Sequence, residues 1–296
     1  MKKLLMTGVA SLLLVLSACG GNDEGTIKVG TQSYTDPKIM AHVIEALVED
    51  RTDFEVDITK DIAASPQIIS AMTQGELDVA ATLFSGEVYN NHFDVEFNYD
   101  PQVTMQMAQE GFDEHFDFKW YDSIGFENAY AMAVSKDIVD KYNPTTISDL
   151  APYADELRFG TDTSWLERPN DGYRAFQDHY DFSFGDERGM EVRLMYEAIE
   201  NDRLDIITAH TVDPQILELE MRVLEDDRTF FPPYDASVVV NNSLVEENPE
   251  LNEVFDLIVG LIDTQTMTEL IAKVDIEGQR EETVAVEFLK EAGLLE

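Results

Sequence analysis

Two stretches far apart in this chain repeat one pattern, and the repeat limits what the chain can fold into. Ala71-Met-Thr-Gln-Gly-Glu-Leu-Asp-Val-Ala-Ala81 and Ala198-Ile-Glu-Asn-Asp-Arg-Leu-Asp-Ile-Ile-Thr208 both run from a helix end through a polar turn and a Leu-Asp pair into an apolar strand. The first leads into Thr82–Glu87 and the second into Ala209-His210-Thr211-Val212-Asp213. In open α/β sheets, ligands bind beyond the carboxyl ends of the strands. Two lobes, each offering one such strand end, would therefore face one another across a cleft. The alternative is a chance likeness of two βα units within a single sheet.

Two further stretches fit the two-lobe reading. Ile124–Val134 alternates as a buried strand in its second half, while Gly125, Asn128 and Tyr130 place flexible, amide and aromatic chemistry at its start. Thr229–Val240 follows with a similar strand after Phe-Phe-Pro-Pro-Tyr234. Read as two crossings between lobes, they divide the chain into residues 26–130 plus 235–296 and residues 131–234. Two ordinary core strands of one domain would be the plainer account.

Before the first crossing, Thr26–Thr31, Phe54–Ile58 and Leu77–Ala81 read as strands. They are separated by a helix opening at Asp36-Pro37 and by a helix over Pro66–Gln74 that stops at Gly75. This βαβαβ order implies a parallel sheet with covered faces. Between the crossings, strands are expected at Leu157–Thr161 and Leu204–Thr208, helices at Gly172–His179 and Glu191–Glu200, and a polar loop at Ser164–Gly172. Pro249–Ile262, Thr264–Lys273 and Glu281–Glu291 read as amphipathic helices that pack on the first lobe.

The chain begins Met1-Lys-Lys and continues into a short apolar run ending in Leu16-Ser-Ala-Cys19, the pattern of a secretory signal peptide. Residues 1–18 are read as that signal. Leu-Ser-Ala-Cys matches the lipobox of bacterial lipoproteins, with Cys19 as the lipidated residue and residues 19–25 as a flexible tether. Cys19 is the only cysteine, so no disulfide and no cysteine-based metal site can form. The formal charge is −40, and removing Lys2 and Lys3 with the signal makes it more negative still. Nucleic acid and anionic lipid surfaces are thus poor partners.

An enzyme finds little support in the residues. His42, His92, His115, His179 and His210 show no metal-ligand spacing, and no nucleophile elbow, phosphate loop or dinucleotide fingerprint occurs. No cofactor is expected. What the cleft segments share is aromatic faces: Phe84, Tyr130 and Tyr234, with His210 at the fourth place. Such faces attract cations, quaternary ammonium groups above all, at about 0.5–2 kcal/mol each.

The chain resembles the substrate-binding lipoproteins of osmoprotectant ABC importers, which capture glycine betaine, choline and carnitine. The resemblance is carried by Gly30-Thr-Gln-Ser-Tyr-Thr-Asp36, Gly125-Phe-Glu-Asn-Ala-Tyr130, Arg168-Pro-Asn-Asp-Gly-Tyr173, Leu224–Tyr234 and Lys273-Val-Asp-Ile-Glu-Gly278. It implies an α/β, type II periplasmic-binding-protein-like fold, a two-lobe Venus flytrap with two interlobe crossings, and an aromatic cage. Tyr130 and Tyr234 fall at cage positions. His210 and Phe84 fall where the family has tyrosine, and an imidazolium at His210 would repel a cation on acidification. Gln32 and Arg168 match positions that contact the ligand's polar tail. In Phe84-Ser85-Gly-Glu87, Glu87 takes the place of a threonine that bonds that tail. Facing the cleft it would favour choline over glycine betaine; facing solvent it would leave Arg168 and Gln32 to hold a carboxylate.

The expected partners are therefore a small quaternary ammonium ligand, an ABC transporter permease and a membrane reached through the lipid anchor, with the protein itself a monomer. A ligand-sensing lipoprotein and an extracellular hydrolase of choline esters are the other functions considered. Cys19→Ser should release the protein from membranes or leave it unprocessed. Fractionation and intact mass measure this, and a membrane-bound variant of unchanged processed mass would refute the anchor.

Overall fold

A computed structural model describes residues 25–89, 93, 95, 98–168 and 172–296. The signal segment, Cys19, His92 and the Pro169–Asp171 part of one motif lie outside the described residues. The elements up to the first crossing are β1 (Thr26–Gln32), α1 (Thr35–Arg51), β2 (Glu55–Ile62), α2 (Ser65–Thr73), β3 (Val79–Phe84), α3 (Pro101–Phe116) and β4 (Phe118–Trp120). Then come β5 (Tyr130–Val134), α4 (Lys136–Tyr142), β6 (Arg158–Thr161), α5 (Thr163–Glu167), α6 (Tyr173–Tyr180), β7 (Asp186–Gly189), α7 (Val192–Glu200), β8 (Ile206–His210), α8 (Gln215–Glu218) and β9 (Arg222–Val223). The chain ends with β10 (Ala236–Asn241), α9 (Asn242–Glu247), α10 (Pro249–Asp256), α11 (Thr264–Asp275) and α12 (Glu281–Glu291).

Among the described residues, ten strands form two five-stranded sheets, ordered β2-β1-β3-β10-β4 and β7-β6-β8-β5-β9. Each is mixed rather than wholly parallel. β1 pairs in parallel with β2 and β3, and β6 with β7 and β8, whereas β10 and β5 run antiparallel to β3 and β8. The parallel sheet implied by the strand–helix order holds for its first three strands; the returning strand β10 enters from the other end. Apolar clusters cover both faces of both sheets. The larger cluster of the first sheet takes in Ile39, Met40, Val43, Ile44, Leu47 and Val48 of α1 together with the apolar faces of α10, α11 and α12. This is the two-lobed, type II Venus-flytrap architecture.

The repeated Leu-Asp pattern has a structural cause. The backbone N–H of Asp78 donates to the Lys28 carbonyl at 2.9 Å, and the N–H of Lys28 donates back to Asp78 Oδ2 at 2.8 Å. In the second lobe the N–H of Asp205 donates to the Arg158 carbonyl at 2.9 Å, and that of Arg158 donates to Asp205 Oδ2 at 2.8 Å. The preceding turns also correspond. Gly75 and Asp202 both have left-handed backbone, with φ of 72° and 52°, and Leu77 and Leu204 donate to Ala71 and Ala198 at 3.3 Å. Each leucine then covers a glycine on the neighbouring strand. A Cβ at Gly30 would lie 2.4 Å from Leu77 Cδ1, and one at Gly160 2.4 Å from Leu204 Cδ1.

The two crossings are hydrogen-bonded to each other. Glu127 and Asp235 form an antiparallel bridge, Asn128 N–H donates to the Tyr234 carbonyl at 3.0 Å, and Ala236 N–H donates to the Phe126 carbonyl at 3.0 Å. Gly125 has φ of 117°, and a Cβ there would meet the Ile262 carbonyl oxygen at 2.8 Å, so this bend requires glycine. Strand β10 begins at Ala236, after Phe-Phe-Pro-Pro-Tyr234, and in the segment before it Asp226 accepts from the backbone N–H groups of Phe230 and Phe231 at 2.7 Å. One expectation changes here. The stretch expected as a polar loop contains α5, whose cap Asp162 accepts from Trp165 N–H at 2.9 Å, and Trp165 is wholly buried.

Asp205→Ala should lower the unfolding free energy by about 1–3 kcal/mol, since it removes a buried backbone acceptor and the charged bonds to Arg158. The value should fall toward the lower end because the Arg158 side chain is 40% exposed. Urea unfolding measures it; a change within error would show that the repeated aspartate is not a structural support.

Candidate ligand site

The carboxyl ends of β3 and β8 lie where the crossings start new strands. Tyr130, the first residue of β5, pairs with His210, the last of β8, and Ala236 of β10 pairs with Phe84, the last of β3. Local strand register therefore brings residues distant in sequence to one place.

Four of the residues expected at the site form a continuous chain of contacts. The rings of Tyr130 and His210 lie 4.7 Å apart with planes inclined at 36°. The Arg168 guanidinium carbon lies 5.6 Å from the Tyr130 ring centre, and its Nη2 donates to the Tyr234 hydroxyl at 3.1 Å. The Tyr234 ring rests on Gly86, where a Cβ would lie 2.6 Å from the nearest ring carbon. Gln32 and Glu87 belong to a second chain. Gln32 Nε2 donates to Ser65 Oγ at 3.2 Å, and Ser65 Oγ donates to Glu87 Oε1 at 2.6 Å. This order fixes the Gln32 amide, whose buried carbonyl oxygen has no hydrogen-bond partner among the described residues. Glu87 is only 6% exposed, which corrects the solvent-facing alternative.

The other two expected residues have local duties. The Ser85 hydroxyl accepts from Asp235 N–H at 3.0 Å and donates to the Pro233 carbonyl at 3.4 Å, so it ties β3 to the second crossing. Phe84 is half-buried against the core of the first lobe.

Several neighbours were not singled out from sequence as site residues. Tyr34, just before α1, approaches His210 with ring centres 6.3 Å apart. Asp213 accepts from Tyr196 Oη at 2.6 Å and from His210 N–H at 2.8 Å, and its Oδ2 lies 3.7 Å from His210 Nδ1. The His210–Asp213 spacing of three residues was the signal available for this pair. The helix expected to open at Asp36-Pro37 instead has Tyr34 at its N-cap and starts at Thr35, which places Asp36 in its first turn. Its carboxylate is 2% exposed and accepts from Asn128 Nδ2 at 3.1 Å. A cavity of about 600 Å³ runs between the lobes beside Tyr34, Asp36, Asn128, Tyr196, His210 and Asp213.

Burial pulls the His210 imidazolium down, but Asp213, Asp162 and Asp36 outweigh it and hold its pKa above the ordinary histidine value. For Asp213, burial acts upward, while bonds from His210 and Tyr196 prevail and keep it ionised to lower pH than usual. Burial pushes Asp36 up to about 6, against the bond from Asn128. An imidazolium at His210 is thus balanced by Asp213, which weakens the repulsion of a cation expected from the sequence.

The profile of the family described as the substrate-binding domain of ABC-type glycine betaine transport systems matches residues 25–291. This chain belongs to that family. It is 33% identical to the carnitine transport binding protein OpuCC of Listeria monocytogenes, over all of this chain and 99% of that protein. It is 28% identical to a glycine-betaine-binding protein of Pseudomonas aeruginosa, over 95% of this chain and 92% of that one. A crystal structure described as a glycine betaine/carnitine/choline ABC transporter superposes with a TM-score of 0.85 at 32% identity, covering 91% of this chain and all of the other. The two-sheet architecture is therefore that of a family of transport binding proteins. Among the described residues no group of three or more His, Cys, Asp or Glu could hold a metal ion, and no helix is long and apolar enough to cross a membrane.

The raised His210 pKa carries a stability signature. The imidazolium–Asp213 pair contributes fully below the ordinary histidine value of about 6.5 and is lost as pH rises through the raised folded value. Melting temperature should therefore fall more steeply above pH 6.5 in the wild type than in His210→Tyr. Parallel profiles would show that the pair does not form in solution.

Proposed function

We propose that this protein captures small quaternary ammonium osmoprotectants between its lobes and delivers them to the permease of an ABC importer, without turning them over. The observation that carries this reading is the contact chain Tyr234–Arg168–Tyr130–His210, assembled where the strand ends of both lobes meet. The lobes comprise residues 26–130 plus 235–296 and residues 131–234. The protein acts as a monomer held by lipid at Cys19 on the outer face of the cytoplasmic membrane.

Ligand held by both lobes favours the closed arrangement through contacts it makes only there, a population shift. Tyr130, Tyr234 and His210 provide π faces for the trimethylammonium head, with Phe84 at the edge. Gln32, Glu87 and Arg168 meet the polar end, and Ser85 keeps the second crossing in place. The names of relatives, which include carnitine and glycine betaine binders, support the ligand class.

Calorimetric titration with choline, glycine betaine, carnitine and a sugar control tests the reading: one-to-one binding of at least one quaternary ammonium compound is expected, and binding of none would overturn it. Tyr130→Ala and Tyr234→Ala should each weaken that binding by about 1–3 kcal/mol, from the lost π face and buried area. Gly86→Ala should act like Tyr234→Ala because the added methyl displaces the ring. Normal binding by all three variants would return these residues to a packing role.

A further inference from the structure

The cavity between the lobes contains a buried carboxylate, Asp36, that among the described residues has no ion-pair partner and only the more distant pull of His210. Asp36 lies in the wall of the cavity and is 2% exposed. Its carboxylate accepts a hydrogen bond from Asn128 Nδ2 at 3.1 Å. Among the described residues, no lysine or arginine forms an ion pair with it. Arg193, the arginine lining this cavity, is held by Glu197 at 2.7 Å. Asp213 is already matched by His210, whereas Asp275 adds a further acid to the wall.

Removing a carboxylate from water is costly unless an opposite charge meets it. The cost is visible in the upward push on Asp36, which burial causes and Asp213 reinforces and which the bond from Asn128 and the charge of His210 offset only in part. The same wall carries the rings of Tyr34 and Tyr196 beside His210. A buried carboxylate beside aromatic rings suits a cation that is too large and too weakly hydrated to need hydrogen bonds. The other end of the Asn128 amide adds negative potential here, because its buried carbonyl oxygen has no hydrogen-bond partner among the described residues.

We infer that Asp36 is the counter-charge for the bound ligand and selects quaternary ammonium compounds of net positive charge, choline-type alcohols, over zwitterions that carry a carboxylate. The inference rests on the reading that the cleft takes quaternary ammonium ligands, and names which of them it prefers. A choline-type ligand brings one positive charge to the unmatched carboxylate. A betaine brings the same charge, but its own carboxylate, met by Arg168 at the polar end, leaves it net neutral, so the acids Asp36, Asp213 and Asp275 of the wall attract it less.

The test compares choline with 3,3-dimethylbutan-1-ol, its uncharged carbon isostere, on the wild type and on Asp36→Asn by calorimetry at pH 7.5. The wild type should bind choline at least tenfold more tightly than the isostere. Asp36→Asn should lose tenfold or more in choline affinity while its affinity for the isostere changes less than twofold, and Asp36→Glu should restore the ratio. Equal affinity of the wild type for both compounds, or equal loss of both in Asp36→Asn with no restoration by Asp36→Glu, would overturn the inference. Tight binding of glycine betaine with weak binding of choline would overturn it while leaving the proposed function standing.

Discussion

In each lobe an aspartate sits between two parallel strands and bonds in both directions, its own N–H to the neighbouring strand and its carboxylate to that strand's N–H. These reciprocal bonds fix the register of β1 with β3 and of β6 with β8. The carbonyls of the same two aspartates also receive the end of the returning strand, from Asn241 at 3.0 Å and from Ser135 at 2.9 Å. Three strands in each lobe are thus indexed to one residue. A one-residue slip would turn every side chain to the other face and would separate Tyr130 from His210. The geometry of the candidate site is set a full strand length away from it.

Much of this was legible because it depends on local chemistry. The Leu-Asp repeat announced two equivalent βα units, and the glycine or aspartate before it marks a turn that needs left-handed backbone. α12 runs over the residues expected from periodicity. Legibility ended where tertiary packing decides. Trp165 sits among polar neighbours in sequence, yet Phe159, Tyr173 and Phe176 surround it in the core of the second lobe. Tyr196 belongs to an ordinary amphipathic helix, and its hydroxyl gains meaning only because Asp213 comes to it from another element. Asp36 offered the signature of a helix start, and its burial and its bond from Asn128, 92 residues away, depend on tertiary packing that α1 alone does not encode.

The histidine at the end of β8 shows how a change of residue brings supporting residues with it. A tyrosine at this place would need no counter-charge. His210 has one in Asp213, which is in turn held by Tyr196 and by the backbone of His210 itself. The imidazole lies against the Tyr130 ring, with ring centres 4.7 Å apart. It also leaves the formal charge of the cleft wall dependent on pH near neutrality, a property that a cage of tyrosines alone would lack.

The two crossings form a two-stranded antiparallel ribbon, and such ribbons tolerate a wider range of twist than the strands of a larger sheet. Their bonds run across the line that joins the lobes, so a rotation of one lobe against the other can be absorbed as added or removed twist with each of those bonds kept. Motion of this kind has no bond-breaking step to cross. The opening and closing rates should then be governed by the contacts the lobes make with each other and with ligand, leaving the hinge as a torsion spring of low stiffness.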